Sequence, residues 1–160
     1  MQLAGPHEGF LPMTIPPIAL ASASPRRRDL LGQIGIKPIA IIPANIGETP
    51  YRQEPPQRYA LRMAREKALA AVLPNNVKDN AVVLAGDTVV SVGRRILPKA
   101  ETEDQARACL ALLSGRGHRV YGGIALRLAD GTLRSRVVKS SVVFKRLHHD
   151  EIDAYIATDD

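Results

Sequence analysis

Aromatic residues make up only 4% of the chain, and tryptophan is absent. Proteins that hold single-stranded nucleic acid usually stack bases on aromatic side chains, so this shortage argues against that class. There is one cysteine, Cys109, which excludes an internal disulfide and a multi-cysteine zinc site. It falls in a helical pattern and reads as a small buried hydrophobe in a reducing compartment. No run is long and apolar enough to cross a membrane. The opening MQLAGPHEGFLPM lacks the basic start and apolar centre of a signal peptide. With Gly and Pro and no periodicity, residues 1–15 are expected to be a flexible extension. The glycine-rich segment and Lys-Ser/Thr ending of a P-loop are missing. His148 and His149 have no partners at ligand spacing. His118, just before a strand, is expected at the surface or in a satisfied hydrogen bond. No histidine is therefore read as a metal ligand.

What is present suits one folded unit. The chain has 160 residues, 45% of them hydrophobic, enough for a single core. The net charge is +6, which favours anionic partners such as nucleic acid, acidic surfaces or phosphorylated small molecules. Strand and helix patterns alternate. A short buried strand ends near Ser22. A helix is expected over residues 25–34 with Leu30, Leu31 and Ile34 inward, followed by a second short strand, PIAIIPA. The polar, proline-rich NIGETPYRQEPP reads as a loop. The clearest helix is PQRYALRMAREKALAAVL, followed by a turn cluster, NNVKDN. AVVLAGDTVVSV is strongly β-forming, with Gly86-Asp87 as an interruption that places Asp87 at a strand end. A loop with a short extended piece follows. Thr102 and Gly115 bracket a further helix. Asp130-Gly131 predicts a type I′ turn within a long hairpin, and a last helix begins at the two histidines. The pattern is mixed α/β, with no internal repeats.

LASASPRRRDLL concentrates positive charge where a strand gives way to a helix. Ser24 and Pro25 fit an N-cap and first helical position, so the arginines occupy the helix's first turn. That is the unfavourable end of the dipole, costing each cation about 0.3–1 kcal/mol. The arrangement makes sense if an anion sits at the helix start, met by backbone N–H groups, serine hydroxyls and guanidinium forks. The competing reading is a solvated basic patch. Four other charged residues are conspicuous. Lys67 shares a helical stripe with Ala60, Ala64 and Ala71, a small-residue face suited to close packing; alone it reads as a lysine snorkelling from the core edge. Asp87 reads as a turn aspartate or, near a metal or water, a ligand or base. Lys99 and Glu48 alone read as surface residues.

Taken together, LASASPRR, GET, MAREKA, AGDTVV, ILPK and LSGRGHRVYGGI resemble, in order and spacing, the Maf proteins, which are nucleoside triphosphate pyrophosphatases. The resemblance covers residues 16–160. It implies an α/β fold with a mixed sheet and two lobes flanking a cleft, similar to the inosine triphosphate pyrophosphatases. It implies hydrolysis between the α and β phosphates, a divalent cation (Mg²⁺ or Mn²⁺), a cytoplasmic protein and a homodimer. It assigns Ser22, Ser24, Arg26, Arg27, Lys67 and Lys99 to phosphate binding, Asp87 to proton acceptance and Glu48 to metal placement. Arg26 and Thr88 match the branch acting on dTTP and UTP. The chain differs from the family pattern at Gly47 (usually aspartate), Pro98 (usually glycine) and Gly122 (usually threonine). It also ends at Asp160, before the family's GKAGGY segment and base-selecting glutamine, so it is expected to be a short form with poorer base discrimination and more self-association. The alternatives are a catalytically impaired regulatory relative and a basic nucleic-acid-binding module.

Overall fold

The computed structural model describes residues 15–77 and 80–158. The expected N-terminal extension therefore lies almost wholly outside the described residues, as does part of the NNVKDN turn.

The elements follow the order β1 (Ile18–Ala21), α1 (Pro25–Gln33), β2 (Ala40–Ile41), α2 (Pro56–Ala70), β3 (Val82–Val92), β4 (Arg95–Leu97), α3 (Glu103–Leu113), β5 (Gly117–Arg127), β6 (Leu133–Val143) and α4 (His149–Ile156). The six strands form one mixed sheet in the order β2-β1-β3-β5-β6, with β4 also paired to β3. β1 is parallel to β2 and β3. β4 and β5 run antiparallel to β3, and β6 antiparallel to β5.

β3 is the spine, and its continuity corrects an expectation. Gly86 and Asp87 do not interrupt it; they pair with Ile124 and Gly123 of β5. Asp87 is thus a mid-strand residue. The strand survives because β5 supplies an unbroken partner ladder, which local propensity cannot reveal.

One face of this spine is covered by α2. Its small stripe packs as its composition predicts, with Ala60, Ala64 and Ala68 fully buried. Ala64, Ala68 and Ala71 meet Ala21, Val83, Ala85 and Ala125 in one cluster, and Tyr59, Ala60 and Met63 meet Val89 and Tyr121 in another. Small side chains bring the helix close to the sheet. The closest approach is at Gly123, where a Cβ would stand 2.1 Å from the Ala60 carbonyl oxygen. Glycine is required there for lack of space, not for its φ.

Other expectations need correction. In α1 only Leu31 is buried; Leu30 and Ile34 are exposed, because among the described residues no element covers that side of the helix. Cys109 is half-buried, since α3 packs mainly against α4 and buries Leu113 alone. His118 lies inside β5 and is buried, with Nδ1 lacking a hydrogen-bond partner and its ring edge-on to Phe144. The β5–β6 connection is not a type I′ turn. Only Gly131 has positive φ, 85°, and its N–H bonds the Leu128 carbonyl at 3.0 Å. This is the type I turn with a left-handed glycine that three-residue hairpin loops favour. No helix among the described residues is long and apolar enough to cross a membrane.

Candidate active site

β1 pairs with β3 only as far as Ala21, opposite Ala85. β4 joins the same edge of β3 from Val90 onward. Residues 86–89 therefore border a gap between two neighbouring strands. Val82 gives its N–H to Pro17 of the β1 chain at 2.8 Å. Strand alternation from there turns the backbone groups of Gly86 and Thr88 toward the gap.

Three segments deliver functional side chains to this gap. β1 ends and hands on Ser22, which is buried. Its Oγ accepts the Ser24 N–H at 3.2 Å and Arg27 Nη1 at 3.0 Å. Arg27 then lies across Gly86, with Nε 3.4 Å from where a Cβ would stand, and its Nη2 reaches Thr88 Oγ1 at 3.4 Å. A side chain at residue 86 would crowd the guanidinium. Second, β4 runs back along β3, so the chain leaves Leu97, opposite Val90, heading toward Thr88. Lys99 stands two residues further on and is exposed. Third, α2 and the loop before it supply Lys67 and Glu48 on the other face.

That other face holds the most tightly organised charges. Lys67 Nζ lies 2.8 Å from Asp87 Oδ1 and 2.8 Å from Glu48 Oε1. Lys67 and Asp87 are buried, whereas the Glu48 side chain is 56% exposed. Lys67 is thus no snorkelling lysine: its ammonium ends between two carboxylates. Asp87 Oδ2 makes no hydrogen bond among the described residues and stays available. Tyr59 gives its hydroxyl to the Glu48 carbonyl at 2.8 Å. Its own pKa is raised, first by burial and then by the negative charges of Asp87 and Glu48, so it remains a donor at neutral pH.

Pro25 occupies the first turn of α1 as expected, and Ser24 is the N-cap by backbone. The Ser24 hydroxyl makes no capping bond. Arg26 is exposed, with no hydrogen bond or ion pair among the described residues. The structure thus joins Ser22, Arg27 and Thr88 on one side of β3, and Lys67, Asp87 and Glu48 on the other. Ser24 joins the first group only through its N–H to Ser22, and Arg26 and Lys99 flank the gap with no hydrogen bond to either group among the described residues.

A divalent cation can be tested against this donor set. Mg²⁺ typically takes one or two carboxylates and completes its shell with water and substrate phosphates. Glu48 fits that requirement, because its carboxylate is more than half exposed and only Oε1 is engaged, by Lys67, among the described residues. No group of three or more His, Cys, Asp or Glu that could hold a metal occurs among the described residues. Substrate oxygens would have to complete the shell.

Two departures from the family pattern have no packing cause. A Cβ at Gly47 or at Gly122 would meet nothing within 4 Å. Pattern reading also missed Arg62, Glu54, Tyr51 and Tyr59, which anchor the Glu48 loop to α2. The spacing of Tyr59, Arg62 and Glu66 was a usable signal, a polar and aromatic stripe beside Lys67, but its loop partners have no fixed spacing.

Cationic and hydroxyl groups thus gather around an open strand edge of an α/β protein, with a buried carboxylate beside it. The chain belongs to the Maf family: the model described as Maf-like protein matches residues 17–160. It is 54% identical over 145 residues to a dTTP/UTP pyrophosphatase of Caulobacter vibrioides, covering 89% of this chain and 72% of that one. Proteins of the same name from Mesorhizobium japonicum and Maricaulis maris are 54% and 55% identical, over 88% and 89% of this chain and 69% and 67% of theirs. Among solved structures, a nucleoside-triphosphatase (dITP/XTP pyrophosphatase) of Mycobacterium abscessus is a distant likeness, with TM-score 0.46 and 18% identity over 81% of this chain and 74% of that chain.

Proposed function

We propose that this chain hydrolyses dTTP and UTP to the nucleoside monophosphate and pyrophosphate at the gap beside residues 86–89. The observation that carries the reading is the Lys67–Asp87–Glu48 cluster standing across β3 from Arg27 and Ser22. The relatives named dTTP/UTP pyrophosphatase support the substrate class.

The chemistry follows from charge. Water must attack a phosphorus already surrounded by negative oxygens, so catalysis depends on neutralising charge and positioning the reactants. Arg27 is held over Gly86 in advance, and a guanidinium fork can take two phosphate oxygens at once. The Ser22 and Ser24 hydroxyls and the free N–H groups at the start of α1 add neutral donors. Arg26 and Lys99, exposed and without a hydrogen bond or ion pair among the described residues, close on the polyphosphate once it arrives. Thr88 lies beside Arg27 and contacts the nucleotide.

Asp87 is the proton acceptor: Oδ1 is fixed by Lys67, and Oδ2 can take a proton from the attacking water. General-base help of this kind contributes about 10²–10⁴-fold in rate. Lys67 orients Asp87 and offers its charge to a phosphate. A Mg²⁺ or Mn²⁺ ion would be held by Glu48 with phosphate oxygens and water, and would supply charge neutralisation at the phosphates.

The test is pyrophosphate release from a panel of nucleoside triphosphates with Mg²⁺. Release from dTTP and UTP ahead of GTP and ATP supports the reading. Binding of triphosphates without release would favour a relative that kept the cradle and lost the reaction.

A further inference from the structure

Glu48 sits in a segment without strand partners, and its carboxylate is more than half exposed. Something else must keep it on Lys67. The segment is gripped from α2 by Arg62. Its Nε and Nη2 each donate to Glu54 at 2.8 Å, a two-pronged carboxylate fork. Nη2 also reaches the Thr49 carbonyl at 3.0 Å, and Nη1 reaches Glu66 at 3.2 Å. The guanidinium carbon stands 3.8 Å from the centre of the Tyr51 ring, which covers it from solvent. The Glu54 side chain is 8% exposed and that of Arg62 17%. Tyr59 holds the adjoining carbonyl, that of Glu48. Two successive carbonyls, at 48 and 49, are thus tied to one helix, by Tyr59 and Arg62 in the turns that precede Lys67.

The turn under this grip is strained. Glu54 N–H closes on the Tyr51 carbonyl at 3.0 Å, and Gln53 within it has φ of 60°. A non-glycine residue keeps that conformation only where its surroundings over-determine it.

We propose that Arg62 is a positioning residue for the reaction: its clamp on Glu54, Tyr51 and Thr49 holds the Glu48 carboxylate beside Asp87. The inference rests on the reading of Glu48 as part of the site. Arginine is required over lysine, because a lysine keeps the charge but neither the fork nor the flat face against Tyr51.

The test compares Arg62→Ala, Arg62→Lys, Tyr59→Phe, Glu48→Ala and the double variant Arg62→Ala/Glu48→Ala. Pyrophosphate release from dTTP with Mg²⁺ and amide hydrogen exchange of residues 46–54 are both measured. Arg62→Ala should speed exchange in 46–54 while leaving β3 protected, and should lower kcat/KM about tenfold or more, as Glu48→Ala does. Arg62→Lys should restore little of either. In the Glu48→Ala background, loss of Arg62 should change turnover less than about twofold, because both act through one carboxylate. Tyr59→Phe, which keeps the packing and loses one bond, should show a smaller loss in the same direction and serves if Arg62→Ala does not fold. Unchanged exchange in 46–54, rescue by lysine, or an equal loss with and without Glu48 would each overturn the proposal. Wild-type turnover in Glu48→Ala alone would instead overturn the reading of Glu48, leaving the exchange data to decide the clamp.

Discussion

Replacing Lys67 by methionine removes the ammonium between Asp87 and Glu48 and keeps most of the side-chain volume. Two carboxylates are left that both reached one nitrogen at 2.8 Å. Breaking a buried pair by removing one partner costs about 3–5 kcal/mol. Glu48 is exposed enough to turn into water, so the penalty falls on buried Asp87, and about 3 kcal/mol is expected. In a chain of this size that lowers Tm by roughly 6–12 °C. Asp87→Asn should cost far less, because Lys67 keeps Glu48 and the amide oxygen still accepts its proton. The double variant Lys67→Met/Asp87→Asn should be more stable than Lys67→Met alone, since the orphaned carboxylate is gone. Thermal unfolding of the four proteins, followed by circular dichroism at pH 7, measures all of this. If Lys67→Met unfolds within about 2 °C of the parent, or if Asp87→Asn lowers it further in the methionine background, the ammonium does not hold a buried charge and the electrostatic reasoning fails.

Arg27→Ala should weaken binding of a non-hydrolysable triphosphate more than Arg26→Ala, because Arg27 is already positioned by Ser22 and Thr88; equal losses in a titration would contradict that ranking. Neither change should lower Tm appreciably, since each removes a cation from the positive end of α1. Gly123→Ala drives a methyl into the Ala60 carbonyl and should cost about 1–3 kcal/mol by overpacking, read as a lower denaturant midpoint; an unchanged midpoint would mean that α2 does not lie that close. The Arg62 fork lowers the Glu54 pKa below its ordinary 4.5. A depressed carboxylate contributes stability above its unfolded value and loses it as pH falls through the folded one. Arg62→Ala should therefore be less stable than the parent at pH 7, with the gap narrowing as pH falls below the ordinary carboxylate value of 4.5, in paired thermal melts.

The sequence made some of this legible for physical reasons that are easy to name. Helix α2 announced itself because Ala60, Ala64 and Ala71 repeat at the helical period, and the same wheel placed Lys67 on the buried face. Proline at the start of α1, Thr102 before α3 and Gly115 after it are local signals with local causes, and the structure has all three. Asp87 was misplaced at a strand end because its continuity depends on Gly123, dozens of residues away. The pairing of Lys67 with Asp87 was hidden for the same reason: it is fixed by sheet register and by helix height above the sheet. Leu30 and Ile34 looked like core because periodicity marks which residues are apolar, not whether anything covers them. Arg62 was passed over because an arginine on a helix usually faces solvent, and only the loop folded over it makes it an anchor. The arginine loop pointed to an anion by charge and position alone, whereas Lys99 and Glu48 read as surface groups until the ordered resemblance to a family singled them out.

Whether Asp87 drives hydrolysis in the gap beside β3 is tested most directly by pyrophosphate release from dTTP and UTP, with Mg²⁺, by the parent chain and by Asp87→Asn. The parent should release pyrophosphate and monophosphate in equal amounts. Asp87→Asn, folded by circular dichroism, should lose about 10²-fold or more of the rate. A folded Asp87→Asn protein that turns over at the parent rate would contradict the role given to Asp87, and a parent chain that releases inorganic phosphate instead of pyrophosphate would contradict the reaction itself.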